Sequence, residues 1–337
     1  MRLAANSLSG PVEDVAGQAG HREHPPRMGF FTDTSVCIGC KACEVACKEW
    51  NEGPEDGLNL LGMSMDNTGS LGASSWRHVA FIEQPRRLAR HDAGIAGLPV
   101  GPSGTEATAG IVESALRRAP RGGGELGTSP YEPGHVPAVP LADGPERTDF
   151  RWLMMSDVCK HCTHAACLDV CPTGALVRTE FGTVVVQQDI CNVCGYCVSA
   201  CPFGVIDRRP GDGRAHKCTL CYDRLRGGLE PACAKACPTS SIQYGELDAL
   251  HERARGRLEA LRASGVAEAR LYGEDATDGV GGCGAFFLLL DEPAVYGLPS
   301  TPVVASRDLP AMWKAAGVAA LGLLAVALSA FMEPRER

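Results

Sequence analysis

Apolar positions along this chain follow two rhythms. Trp76, Val79, Phe81 and Ile82 form a strand-like run. Ala175–Arg178 and Thr183–Gln187 are apolar and β-branched, and they flank a glycine turn at Thr179–Gly182, which predicts a β-hairpin. Leu247, Leu250, Ala254, Leu258 and Leu261 recur at three- and four-residue steps among Arg and Glu. That spacing predicts a helix over 246–264 with one buried face. Residues 285–290, AFFLLL, read as a buried strand. From Ala315 to Met332 the chain reads AAGVAALGLLAVALSAFM, 18 residues without a charge. This is near the lower limit for a membrane span. Trp313 is placed to anchor at the interface and Lys314 to snorkel. The competing reading is a buried or docking helix; the position before a short EPRER tail favours an anchor, and we assign it to 311–332.

The polar stretches set the boundaries. Residues 1–28 read as a mobile lead. Residues 85–148 read as a surface insertion, because 19 of the 55 residues from 94 to 148 are Gly or Pro, a low-complexity bias. Its expected role is an extended arm over a partner or over the protein itself, with only 111–118, IVESALRR, briefly helical. The net charge of -8 leaves no electrostatic footprint for nucleic acid. Residues 1–29 contain no apolar core of signal-peptide length.

Cysteine changes the picture most. Sixteen of the 17 cysteines fall into four quartets. Cys37, Cys40, Cys43 and Cys47 read C-x2-C-x2-C-x3-C. Cys159, Cys162, Cys167 and Cys171 read C-x2-C-x4-C-x3-C-P. Cys191, Cys194, Cys197 and Cys201 read C-x2-C-x2-C-x3-C-P. Cys218, Cys221, Cys233 and Cys237 read C-x2-C-x11-C-x3-C-P. A [4Fe–4S] cluster takes four thiolates, so sixteen cysteines point to four clusters and to a wire for electrons. Disulfides are disfavoured, because each quartet lies too close in sequence to staple distant loops. Taken alone, the fourth quartet also fits a zinc ribbon; its company and its C-x3-C-P ending favour a cluster. In two-cluster ferredoxins the fourth cysteine of a run binds the other cluster, so crossovers between quartets are open here. The hairpin between the second and third quartets makes the region a pseudo-repeat.

The remaining candidates are weaker. Cys283, in GGCGAFF, is surplus to four quartets and reads as a small buried or loop residue. His161 and His164 lie inside the second quartet and read as neighbours of the ligands or as surface residues. Arg208, Arg209, Arg214, His216 and Lys217 read as a solvated loop, with a positive edge beside anionic clusters as the alternative. No Walker motif is present, and the Gly-rich stretches lack a strand–turn–helix context. No catalytic site of the chain's own is expected.

The stretches DTSVCIGCKACEVACKEWN, SDVCKHCTHAACLDVCPTGAL, CNVCGYCVSACPFGVIDRRP and KCTLCYDRLRGGLEPACAKACPTSSI resemble the four-cluster iron–sulfur subunits of molybdopterin oxidoreductases. The nearest likeness is to the beta subunit of membrane-bound formate dehydrogenase, over residues 30–84 and 149–332. The resemblance implies an α+β fold of two bacterial-ferredoxin-like modules with a long Gly/Pro-rich insertion and a C-terminal transmembrane helix. The first module would comprise 29–84 and 218–245, the second 149–217, and 246–310 would form a C-terminal extension. It also implies one cluster on Cys37, Cys40, Cys43 and Cys237, and a second on Cys159, Cys162, Cys167 and Cys201. A third would sit on Cys191, Cys194, Cys197 and Cys171, and a fourth on Cys218, Cys221, Cys233 and Cys47. The implied partners are a molybdenum or tungsten pterin catalytic subunit that oxidises formate, and a membrane cytochrome b or quinone-reducing subunit of anaerobic respiration. Related nitrate reductase subunits replace one cluster cysteine, and none is missing here. Subunits of dimethyl sulfoxide reductase type lack a terminal anchor. Electron-transfer subunits of nickel–iron hydrogenases, or of another pterin oxidoreductase, remain the alternative. Lys and Arg beside the span are tied between its two ends, so the positive-inside rule assigns no face. The resemblance implies an outward-facing cluster domain, exported folded with a signal-bearing partner.

Overall fold

The computed structural model of the chain describes residues 14–55, 65–66, 68–84, 151–304 and 309–332. Contacts group Met1–Gln84 with Trp152–Arg337 into one unit and leave Pro85–Arg151 as another. Of the second unit only Arg151 is described, so the expected insertion and its IVESALRR helix lie outside the described residues.

The scaffold is a four-stranded sheet assembled from both ends of the chain, in the order Ile242–Glu246, Met28–Asp33, Ala285–Leu289, Arg270–Tyr272. Met28–Asp33 pairs antiparallel with Ile242–Glu246 and parallel with Ala285–Leu289, in the register Phe30↔Ala285 and Phe31↔Phe286. The approach to Ala285–Leu289 is close: a Cβ on Gly29 would stand 2.3 Å from the Gly284 carbonyl oxygen. Two strands therefore come from the stretch expected as a C-terminal extension.

Side chains alternate across a strand, so Phe31 and Phe30 face opposite layers. On one face, Phe31, Phe286 and Leu288 pack against Leu247, Leu250 and Ala254 of the helix Leu247–Ala263. Phe31 and Phe286 stack at 5.3 Å. The stripe read from the sequence is thus the buried stripe, and each fully buried Leu contributes about 1.5–3 kcal/mol. On the other face, Phe30, Phe287 and Leu289 join a core that includes Cys43, Cys159, Cys218 and Cys233. The sheet backs directly onto the thiols.

The predicted hairpin forms from Leu176–Arg178 and Val184–Val186, with Leu176↔Val186 in register. The run at Trp76–Ile82 becomes the strand Arg77–Gln84, which pairs with Arg151–Val158. Within the stretch expected as a mobile lead, Asp14–Arg27 is anchored. Val15 and Ala16 are buried, and Arg27 donates to the Thr163 hydroxyl and the His161 carbonyl. The last helix runs over Leu309–Met332. Its window Met312–Ser329 has mean hydropathy 1.7 and none of it is buried.

Candidate cluster-binding sites

Four short helices position the thiols by one repeated device. Each carries, or ends at, two cysteines four residues apart, so the pair stands on one helix edge but one turn apart. The helices are Ala42–Trp50 with Cys43 and Cys47, Ala166–Asp169 leading to Cys171, Tyr196–Ala200 leading to Cys201, and Ala232–Lys235 leading to Cys237. Cys167 and Cys171, and likewise Cys197 and Cys201, line different cavities; of the other two pairs, Cys43 and Cys237 line one cavity while Cys47 and Cys233 stand away from it.

Cys37, Cys40, Cys43 and Cys237 line a cavity of about 290 Å³, part of it open to solvent, with Ser156 and Ser241. The loop reaches it through Gly39 at φ 65°. A Cβ on Gly39 would stand 2.7 Å from both the Met154 sulfur and the Phe81 ring. Cys159, Cys162, Cys167 and Cys201 line a second cavity of about 370 Å³, part of it open to solvent, with Lys160, His161, Phe203 and Lys217. Cys171, Cys191, Cys194 and Cys197 line a third of about 320 Å³, likewise partly open, with Arg208 and Gly195. Among the described residues no carboxylate lines any of the three.

The remaining thiols, Cys47, Cys218, Cys221 and Cys233, are all buried. Burial, reinforced by the nearby charges of Cys218, Cys233 and Cys221, pushes the Cys47 thiol well up. The Asn51 amide spans this set, 3.7 Å from Cys47 Sγ and 3.9 Å from Cys221 Sγ. The eleven-residue gap of the fourth quartet holds the helix Tyr222–Arg226 and a turn, after which Cys233 returns near Cys221 on the helix Ala232–Lys235.

The residues fit an iron–sulfur cluster on three counts. First, among the described residues no three His, Cys, Asp or Glu groups converge to hold a single metal ion. Mononuclear zinc needs its donors about 2.0–2.3 Å from one point; thiols spread around a cavity suit a multi-atom cluster. Second, burial pushes the Cys43 thiol up to about 11 and the Cys218 thiol up to about 12. Such thiols ionise when a cation is bound, and coordination deprotonates them outright. Third, His161 is 2% exposed and burial holds its pKa well below the ordinary value. Its Nδ1 accepts from the Val184 N–H at 3.1 Å, which leaves the ring proton on Nε2. That nitrogen is buried and has no partner among the described residues, on a ring that lines the second cavity.

Cys283 is 2% exposed, the small buried residue the sequence leads one to expect; sequence reasoning missed its antiparallel bridge to Cys162. The basic stretch is also not uniformly solvated. Arg208 and Arg214 are exposed, but His216 and Lys217 are buried, and the Lys217 ammonium donates to the Val184 and Cys218 carbonyls. Charge letters alone could not separate these positions. His161 and His164 are both buried, and only His161 lines a thiol cavity.

The fold and the thiol geometry define a ferredoxin-like iron–sulfur protein. A family profile described as "4Fe-4S dicluster domain" matches residues 150–247. The chain is 31% identical over 330 residues to "Formate dehydrogenase, nitrate-inducible, iron-sulfur subunit" of Escherichia coli strain K12, covering 96% of this chain and 87% of that one. It is 32% identical over 299 residues to "Formate dehydrogenase iron-sulfur subunit" of Haemophilus influenzae, covering 87% and 74%. Over 102 residues it is 47% identical to "Thiosulfate reductase electron transfer subunit PhsB" of Salmonella typhi, covering 30% of this chain and 52% of that one. The chain belongs to the family of formate dehydrogenase iron–sulfur subunits.

Proposed function

We propose that this chain is a four-cluster electron wire, relaying electrons one at a time from a molybdopterin formate-oxidising subunit to a membrane cytochrome or quinone-reducing subunit. The observation that carries the reading is the sorting of sixteen thiols into four sets, three of them around cavities that no carboxylate lines among the described residues. The ligand sets are Cys37, Cys40, Cys43 and Cys237; Cys47, Cys218, Cys221 and Cys233; Cys159, Cys162, Cys167 and Cys201; and Cys171, Cys191, Cys194 and Cys197. When bound, each [4Fe–4S] cluster supplies a one-electron redox step whose potential depends on charge and on hydrogen bonds to its sulfurs.

The residues also support an order. Of the sixteen thiols only Cys40 and Cys194 are exposed, and they belong to the first and third sets given by the quartet order of the sequence. Those two sets are the entry and exit. The buried set around Cys218 lies between: Cys43 of the first set feels the charge of Cys233, and Cys218 feels that of Cys159. The last step, from the set of Cys159 to that of Cys194, runs along the helix Tyr196–Ala200, whose Cys197 and following Cys201 serve neighbouring cavities. In this reading the outer quartets form one ferredoxin-like module, 29–84 with 218–245, and the inner quartets form the other, 149–217. The stretch 246–310 is an extension that lends two strands to the sheet, and 311–332 is a membrane anchor.

The rival source of electrons is a nickel–iron hydrogenase. An anaerobic pull-down of the tagged chain in mild detergent, with mass spectrometry of the stoichiometric large partner, separates them. The expected partner is a pterin-binding catalytic subunit of formate dehydrogenase type. A hydrogenase subunit in its place would overturn formate as the donor and leave the wire intact.

A further inference from the structure

Arg77 is 2% exposed, and a buried cation is costly unless an anion and hydrogen bonds meet it. Among the described residues no carboxylate pairs with it. Its Nη2 donates instead to Cys233 Sγ at 3.2 Å. Its Nη1 donates to the Ser156 carbonyl at 3.2 Å and lies 3.4 Å from the Ser156 hydroxyl. That hydroxyl stands 3.2 Å from Cys43 Sγ, and with an oxygen lone pair facing Arg77 its own proton is free for the Cys43 sulfur. The guanidinium covers the Phe30 ring at 4.9 Å, closing the site from the sheet side. Burial alone would push its pKa down. The negative charge of Cys233, Cys43, Cys218 and Cys47 outweighs that and holds it above the ordinary value.

We propose that Arg77, with Ser156 as its relay, is a counter-charge shared by the two neighbouring cluster sites, bonded to Cys233 of one and through Ser156 to Cys43 of the other. The inference rests on the cluster reading above. Each added electron deepens the negative charge on the ligand sulfurs. A fixed cation in a low-dielectric interior stabilises that charge far more than it would in water, and hydrogen bonds to cluster sulfurs tune the potential. One guanidinium placed between two sites raises both potentials together and keeps them matched for transfer. Arg77 is a positioning residue for charge and is not itself reduced.

The test uses the purified holo-complex carrying Arg77→Gln, Arg77→Lys or Ser156→Ala, read by iron content and by an EPR-monitored redox titration. Signals are assigned by their loss in Cys40→Ser and Cys221→Ser. Arg77→Gln is expected to keep the wild-type iron and to weaken one-electron reduction at both assigned sites at least tenfold, about 59 mV downward for a one-electron couple. The other two sites should stay unchanged, and Arg77→Lys should recover most of the shift. Ser156→Ala should move the Cys40-assigned site more than the Cys221-assigned one. Full iron with unchanged midpoints overturns the inference, as does an equal shift in the Gln and Lys variants. If Arg77→Gln does not assemble, Ser156→Ala carries the test, and unchanged midpoints there overturn it. A wild-type complex without iron at these thiols fails the cluster reading instead, which the iron assay reports separately.

Discussion

Replacing Cys47 by serine removes the cluster held by Cys218, Cys221 and Cys233, about 170 residues away in sequence, and spares the one on its own quartet's first three cysteines. The expected loss is about four of about sixteen iron atoms. The reason is local geometry. Cys43 and Cys47 sit one turn apart on the helix Ala42–Trp50, yet Cys43 lines the cavity of Cys37, Cys40 and Cys237. Cys47 instead feels the charges of Cys218, Cys233 and Cys221, and Asn51 spans Cys47 and Cys221. EPR of the reduced holo-complex checks the outcome. The Cys47→Ser spectrum should match that of Cys221→Ser. A match to Cys40→Ser would mean that the quartets bind without crossing over.

The second large effect concerns the terminal helix. Leu309–Met332 is 24 residues long, about 36 Å at 1.5 Å per residue, against a hydrocarbon core of about 30 Å. Val318, Leu321, Leu323 and Leu328 are all more than half exposed, so among the described residues nothing covers the apolar surface. Arginine at both Leu321 and Leu324 costs about 5–7 kcal/mol of insertion at about 2.5–3.5 kcal/mol each. The double variant is expected to leave the membrane on carbonate washing, while the wild-type chain stays in the pellet. If carbonate releases the wild type as readily, the helix is a docking element for a partner subunit.

Much of this was legible in the sequence because it is local. The hairpin at Leu176–Val186 and the helix Leu247–Ala263 follow from side-chain periodicity within a single segment. The quartets follow from spacing, since a loop that wraps a cluster presents thiols three and four residues apart. What stayed hidden is set by long-range topology. The strand Met28–Asp33 pairs in parallel with Ala285–Leu289, and nothing in either stretch names the other. The bridge of Cys162 to Cys283 is a consequence of that closure. Buried cations are the other blind spot. Arg77 and Lys160 are 2% and 1% exposed, yet as letters they are indistinguishable from surface charges. Only packing reveals that the ammonium of Lys160 rests over the Phe203 and Phe287 rings and pairs with Asp157.

The central claim is that sixteen of the chain's thiols hold four redox clusters fed by formate. The most direct measurement is iron, zinc and spin quantification on the anaerobically purified complex before and after adding formate. The account predicts about sixteen iron atoms assigned to this chain, no stoichiometric zinc, and formate-dependent [4Fe–4S] signals that Cys40→Ser, Cys221→Ser, Cys162→Ser and Cys194→Ser each diminish by one cluster. An iron count near eight, stoichiometric zinc, or clusters that hydrogen reduces and formate does not would contradict it.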